Sequence, residues 1–585
     1  MATKAKPTPE PDVAAQLRRF TNLMGRAQQA MLEYWSKQGA APKPFDPAAA
    51  GAAASEWTNA MTAMLGDPER LATIQGDYWR ELTKLWTGGA VPGPLAAAAD
   101  KDKRFKSDAW REQPVFDFIR QAYLLTARTI IESATGAQGL DTHARQKMLF
   151  YTRQFVDAMS PSNFAALNPD VMKVVAESDG EVLLQGLEHM LDDLSAGRLT
   201  MVDENAFEVG RNIAATPGKV VYENRLFQLI QYAPTTATVH VTPLLIFPPW
   251  INKFYILDLG PAKSFIAWAV AQGLTVFVVS WRNPGSEFAK ATIDTYVCEG
   301  FMEAVRRVLA ATGARSTHAI GYCVAGTTLA ATLAFLAARG KSALIESATL
   351  FTAQVDFEDA GELKVFTDDA QLKAIEELTQ HTGYLDGRYM AGTFNLLRSN
   401  DLIWNYVINN YLMGKDYLAF DLLFWNADAT NVPATWHASY LKDFYRDNRL
   451  TRGEITIDGT AIDLSAVRTP TYIQAGKEDH IAPARSVYHV THHFTGPLRF
   501  ILAGSGHIAG VINPPSAAKY NYWSSEDALP ATLDEFISTA TETKGSWWPD
   551  WRRWIAPRSG AQVAARDPGA GVEDAPGRYV VEKVG

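Results

Sequence analysis

Cys323 stands in the segment Ile320-Gly321-Tyr322-Cys323-Val324-Ala325-Gly326-Thr327. Apolar residues before it predict a strand, and small residues after it predict a helix. The glycines on either side permit the sharp turn that lifts one nucleophile above a sheet. A helix N-terminus beside the sulfur favours the thiolate, and the Val324 N–H is placed to donate to an oxyanion. A buried structural cysteine beside a glycine turn is the competing reading of this short motif taken alone. Two further residues extend the pattern. Asp479 lies in Gly476-Lys477-Glu478-Asp479-His480 and His507 in Gly504-Ser505-Gly506-His507. The order nucleophile, acid, histidine is that of a catalytic triad on a strand–helix scaffold.

His507 sits in a glycine-rich loop, a poor place for a core histidine, and reads as the base. Asp479 competes with Glu478, and with a purely structural role as helix cap for a helix near residue 484. His480 reads as a group behind the triad or in the substrate pocket. The second oxyanion donor must come from a loop after an early strand. Phe247-Pro248-Pro249-Trp250-Ile251-Asn252-Lys253 fits that place, with the Ile251 N–H as donor and two prolines to stiffen it. The competing reading is a proline-rich surface turn. A cysteine in place of a serine suits reversible acyl transfer from a thioester, because exchange between two thiols is nearly balanced in energy. With a reference pKa of about 8.5 only a few per cent of an ordinary thiol is ionised at neutral pH, so a histidine base is needed.

The elements that position these residues follow from periodicity. Val220 to Tyr222 and Phe227 to Tyr232, split by Glu223-Asn224-Arg225, predict a hairpin. An alternation of short apolar strands and helices follows: Leu244 to Phe247, a helix over 262–272, Thr275 to Ser280, a helix near 292–312, Thr317 to Ile320, and an Ala-rich helix over 324–339. Strands at 348–352, 471–475 and 498–502 continue it, with a helix between the last two. Such alternation predicts a mostly parallel sheet covered by helices, an α/β architecture. Asp479 and His507 each follow a strand, at the sheet end where ligand crevices form. The rhythm breaks between about 353 and 445, which reads as an inserted, aromatic-rich cap. Upstream, residues 16–200 read as a helical domain, with Phe116 to Ile131 apolar at threes and fours and a helix from Leu149 to Met159 ending at Ser160-Pro161. Residues 1–15 read as a disordered tail and 47–54 and 90–100 as low-complexity linkers. The catalytic domain is expected over 201–560 and a mobile tail over 561–585.

Composition limits the function classes. A chain of 585 residues with 47% apolar and 20% charged residues is an ordinary globular protein of several domains. The net charge of −9 argues against a general nucleic-acid binder. Cys298 and Cys323 are the only cysteines, which excludes a disulfide framework and a cysteine-based zinc site and fits a reducing cytoplasm. No secretory signal and no run of about 18 apolar residues is present, so no transmembrane helix is expected. No cofactor or metal is implied. Aromatic-rich stretches at 404–447 and 522–554 suggest apolar surfaces that are not all internal.

The elbow and the order of the triad indicate an α/β-hydrolase fold, and several further motifs narrow the resemblance. These are Phe207 to Asn212, Pro248 to Asp258, Val279 to Pro284, Asn400 to Tyr406, Phe420 to Asn426, Glu478 to Ile481, Ser505 to Pro514, Gly545 to Trp551 and Pro576 to Tyr579. In this order they resemble the bacterial class I polyhydroxyalkanoate synthases over roughly residues 100–580. The resemblance implies an acyltransferase that polymerises (R)-3-hydroxyacyl-CoA, with short acyl groups such as 3-hydroxybutyryl favoured, and releases CoA. It implies that Cys323 carries the growing chain and that His507 activates it. Asp479 either orients the histidine or helps deprotonate the 3-hydroxyl. Trp425 and Asn252 join His480 behind the triad or in the substrate pocket. A homodimer on cytoplasmic polyester granules is expected. The family usually has Gly where Ala325 stands, and often Cys where Trp250 stands. A thioesterase or polyester depolymerase of the same fold, in which water accepts the acyl group, is the alternative enzyme; a granule-coat protein is the non-enzymatic one.

Overall fold

A computed structural model describes residues 66–88 and 102–583, together with Thr21 and Gly25. The expectations for residues 1–15, 47–54 and 90–100 fall outside the described residues, as does the stretch 16–65 of the expected helical domain apart from Thr21 and Gly25. The chain forms two compact units. One holds the described residues up to Val202 together with Phe394–Leu418; the other holds Asp203–Thr393 and the chain from Ala419 onward.

The described part of the first unit is built from helices: α1 (Pro68–Trp86), α2 (Pro114–Thr135), α3 (Thr142–Ala158), α4 (Pro169–Glu177) and α5 (Glu181–Ala196). Their starts are written in the sequence. Asp67, Asp141 and Asn168 accept backbone N–H groups at the N-termini of α1, α3 and α4. Proline opens α1, α2 and α4, where its missing N–H costs nothing. Apolar residues at helical spacing then meet across helices, Leu85 on Leu125 and Phe105 with Trp110 on Phe116.

Residues 394–418 lie inside the stretch that the sequence suggests is one cap, yet they belong to the first unit. Specific contacts account for this. Gly186 lies so close to the Tyr411 carbonyl that a Cβ would sit 1.8 Å from its oxygen. The Tyr411 hydroxyl donates to Asp193 at 2.6 Å, and His189 Nδ1 is 3.1 Å from the Asn410 carbonyl oxygen.

The second unit is organised by an eleven-stranded sheet. Its strands are β1 (Gly218–Glu223), β2 (Phe227–Tyr232), β3 (Leu244–Phe247), β4 (Val276–Trp281), β5 (Thr317–Tyr322), β6 (Ile345–Phe351), β7 (Thr471–Gly476), β8 (Leu498–Ala503), β9 (Asn521–Ser524), β10 (Thr541–Lys544) and β11 (Glu573–Asp574). Their order is β10-β9-β8-β7-β6-β5-β3-β4-β2-β1-β11. The central run β8-β7-β6-β5-β3-β4 is parallel, and antiparallel strands complete both edges. β2, β3, β4, β5 and β7 are buried along their whole length, which is why β3 and β4 read as nearly continuous apolar runs rather than alternating ones. The helices α6 (Phe265–Ala271), α7 (Met302–Thr312) and α8 (Val324–Ala338) connect or follow these strands. A π-helical turn over Thr295–Phe301 precedes α7. The helix expected between β7 and β8 is two short ones, Ala484–Tyr488 and Val490–His493.

Two compositional readings differ from the structure. The Ala-, Gly- and Pro-rich tail suggests mobility, but Gln562–Ala564 pairs with Thr238–His240, β11 pairs with β1, and Tyr579 and Val580 are buried. The aromatic-rich stretches are largely internal: Trp436, Trp547, Trp548 and Trp551 are all fully buried. No helix among the described residues is long and apolar enough to cross a membrane.

Candidate active site

β5 delivers Cys323 and α8 begins at the next residue. Between them Cys323 adopts φ 53° and ψ −127°, a strained conformation for a side-chain-bearing residue that costs about 1–3 kcal/mol. The surrounding backbone holds it there. The Cys323 N–H donates to the Phe351 carbonyl at 2.9 Å, and its own carbonyl accepts from Gly326 at 2.8 Å. Two glycines are required by contact. A Cβ on Gly321 would lie 2.6 Å from the Gly326 Cα, and one on Gly326 would lie 2.3 Å from the Ala353 Cβ. Ala325 is fully buried and is accommodated in this crowded turn. Gly326→Ala is therefore expected to destabilise the protein by about 3 kcal/mol, from overpacking, read as a lowered unfolding midpoint. Adding Ala353→Gly recovers part of that loss.

Asp479 lies three residues beyond β7, and His507 four beyond β8, at the same sheet end as Cys323 because these strands are parallel. His507 Nδ1 is 2.7 Å from Asp479 Oδ2, and both residues are buried. The other Asp479 oxygen accepts the Ile481 and Ala482 N–H groups at 2.8 and 2.9 Å. One carboxylate thus holds the turn after β7 and faces the histidine; it does not cap the helix near 484, which opens at Pro483 with no side-chain cap. Glu478 is exposed, and His480 is half-buried next to Asp479.

The Cys323 sulfur lies near enough to His507 to act on its charge. Burial opposes a charge on the imidazole, but the Asp479 carboxylate and the Cys323 sulfur outweigh it, and the His507 pKa is pushed up to about 10. The unfolded value is near 6.5. The stabilisation from this shift is therefore complete below about pH 6.5 and is lost as pH rises through about 10. Denaturant unfolding should show a larger fall in stability from pH 7 to 10 for the wild type than for His507→Gln.

The remaining expected site residues also fall in the second unit. Val324 is the first residue of α8, so its N–H has no partner within the helix. Ile251 and Asn252 lie on the loop that leaves β3, and β3 pairs with β5 in a register that places Phe247 beside Gly321. Asn252 bridges to Ala429. Trp425 is buried with its indole N–H on the Lys253 carbonyl at 2.7 Å, so it holds that loop. Cys298, the other cysteine, lies in the π-helical turn, and burial followed by Asp458 and Asp294 pushes its thiol pKa up.

Several supports escape a sequence reading. The Tyr322 hydroxyl donates to the His507 carbonyl at 3.1 Å. The indole N–H groups of Trp547 and Trp548 donate to the carbonyls of Gly510 and Val511 at 2.7 and 2.9 Å, just beyond the histidine. From the other side of the site, Tyr440 reaches Thr327 Oγ1 at 3.3 Å. Burial and then the neighbouring Tyr445, Thr327 and Cys323 govern its hydroxyl, whose pKa is raised.

A strained cysteine elbow with a buried Asp–His pair belongs to a recognisable group of proteins. Residues 243–514 match the α/β-hydrolase fold family, and residues 101–269 match the N-terminal family of poly-beta-hydroxybutyrate polymerase. The chain is 44% identical to the poly(3-hydroxyalkanoate) polymerase of Methylorubrum extorquens, over 96% of this chain and 97% of that one. It is 47% identical to the poly(3-hydroxyalkanoate) polymerase subunit PhaC of Rhizobium meliloti (strain 1021), over 88% of this chain and 86% of the relative. With the corresponding subunit of Cupriavidus necator it shares 42% identity over 93% of this chain and 96% of the relative. Likeness of this extent, joined to the site's geometry, makes the chain a member of the poly(3-hydroxyalkanoate) polymerase family, acyltransferases built on the α/β-hydrolase fold.

Proposed function

We propose that this protein polymerises (R)-3-hydroxyacyl-CoA, with short acyl groups such as 3-hydroxybutyryl preferred, through an acyl chain carried on Cys323. The carrying observation is the 2.7 Å contact between His507 Nδ1 and Asp479 Oδ2, at the sheet end where the Cys323 elbow lies.

In the first step the Cys323 sulfur, its proton held by His507, attacks the thioester carbonyl. The new C–S bond forms, the bond to CoA breaks, and the CoA sulfur leaves with the proton from His507. The Val324 and Ile251 N–H groups stabilise the oxyanion of the tetrahedral intermediate. In the second step the 3-hydroxyl of another acyl group gives its proton to His507 and attacks the acyl-cysteine. An ester forms and the cysteine sulfur is released. Asp479 keeps the imidazole oriented throughout. His480, Trp425 and Asn252 line or support the pocket.

The insertion in the second unit, residues 353–393 and 419–445, acts as a mobile cap that keeps competing water from the acyl-enzyme. The protein works as a homodimer on cytoplasmic polyester granules. Incubation with (R)-3-hydroxybutyryl-CoA, with CoA, polymer and free acid all measured, tests this reading. Polymer formed in step with CoA is the expected result. CoA matched by free 3-hydroxybutyrate would make the protein a thioesterase, and no CoA would leave a coat protein.

A further inference from the structure

The loop after β3 is held by three indole N–H groups. Trp281 donates to the Pro248 carbonyl at 2.8 Å at one end, and Trp425 to the Lys253 carbonyl at 2.7 Å at the other. Between them Trp250 reaches outward: its indole N–H donates to Thr328 Oγ1 at 3.2 Å. The same hydroxyl donates to the Val324 carbonyl at 2.9 Å. Trp250 and Thr328 are both buried, so water does not compete for these bonds. Their geometry ties the residue before Ile251 to Val324 by a chain of two hydrogen bonds through one side chain.

We propose that Trp250 is a positioning residue for acyl transfer, fixing through Thr328 the separation of the two oxyanion donors, Ile251 and Val324. The inference rests on the acyl-transfer reading above and deepens it. Prolines 248 and 249 limit the loop's internal freedom, but they do not set its distance from α8. The bond to Thr328 does. Oxyanion donors help only when they are already in place as charge develops, and small misplacements carry large rate penalties. The ring of Trp250 also packs against Tyr296, Trp436 and Tyr440, with centroids 5.5, 5.4 and 5.3 Å away. Phenylalanine at 250 preserves most of this apolar packing while removing the N–H, and valine at 328 preserves shape while removing the hydroxyl.

The full-length protein and its Trp250→Phe, Thr328→Val, Thr328→Ser and Trp250→Phe/Thr328→Val variants are compared in two reactions of the same sulfur. One is first-turnover CoA release from (R)-3-hydroxybutyryl-CoA by rapid quench. The other is alkylation of Cys323 by iodoacetamide, a displacement at a saturated carbon that develops no oxyanion. Acylation is expected to fall about 10-fold in Trp250→Phe and Thr328→Val, with no further loss in the double variant because both remove one bond. Thr328→Ser restores the hydroxyl and the rate, and alkylation stays within about 2-fold throughout. Unchanged acylation, fully additive losses, or alkylation falling by the same factor would overturn the proposal. Cys323→Ala is run alongside. If it releases first-turnover CoA as fast as the wild type, the acyl-transfer reading itself fails and the inference falls with it; a Cys323-dependent burst that ignores Trp250 and Thr328 overturns the positioning role alone.

Discussion

Replacing Cys323 by alanine is expected to abolish CoA release from (R)-3-hydroxybutyryl-CoA, by at least about 10³-fold, because it removes the atom proposed to form the covalent bond. The fold survives, because alanine keeps the Cβ at the strained elbow, and the backbone bonds from Cys323 to Phe351 and Gly326 are untouched. Cys298→Ala is the control. That thiol lies in a π-helical turn with its pKa pushed up by burial and then by Asp458 and Asp294, so it is a poor nucleophile. The variant should keep most of its activity. Steady-state CoA release and far-ultraviolet circular dichroism of both variants decide the matter, and equal losses in the two would refute Cys323 as the acyl carrier.

The second large effect separates His507 from Asp479. His507→Gln removes the group that holds the thiol proton, and first-turnover CoA release should fall about 10³-fold or more. Asp479→Asn leaves a base in place. One Asp479 oxygen accepts from Ile481 and Ala482 and the other faces His507 Nδ1. An asparagine can keep the first set of bonds, but it loses the charge that favours the imidazolium. A first turnover about 10²-fold slower than wild type, yet still measurable, is expected, with elongation slowed at least as much. Rapid quench with a single equivalent of substrate isolates the first step. A wild-type first turnover with elongation alone lost would instead assign Asp479 to the 3-hydroxyl.

The candidate site was legible in the sequence because each member of the proposed triad follows a largely buried strand, and such strands print as short, mainly apolar runs. Residues 317–322, 471–476 and 498–503 announce themselves in this way, and Gly321 and Gly326 mark the turn that a side chain would block. Asp479 could not be separated from Glu478 by sequence, since both follow β7; burial distinguishes them, as Glu478 is exposed. The edge strands β9 and β10 were illegible for the opposite reason. Thr541–Lys544 is exposed at every position, so no apolar pattern records its pairing with β9. The supports of the site were hidden too. Trp250 on Thr328, Tyr322 on the His507 carbonyl and Trp547 on Gly510 join residues far apart in the chain, and local propensity carries no trace of such pairs. The insertion shows the same limit, since its aromatic content gave no sign that residues 394–418 pack with helices near residue 190.

That division has a consequence for synthesis on the ribosome. The first unit ends near Val202 but regains the chain only at Phe394–Leu418. A nascent chain that has completed α5 still lacks Tyr411, whose hydroxyl meets Asp193, and the backbone that lies against Gly186. At about 5–20 residues per second, residues 203–393 take roughly 10–40 s to emerge. Throughout that interval the first unit is unfinished, while β1 to β6 of the second emerge and become available to pair. The order of translation therefore cannot be the order of completion: the unit that begins the chain must wait for a segment translated after the nucleophile elbow.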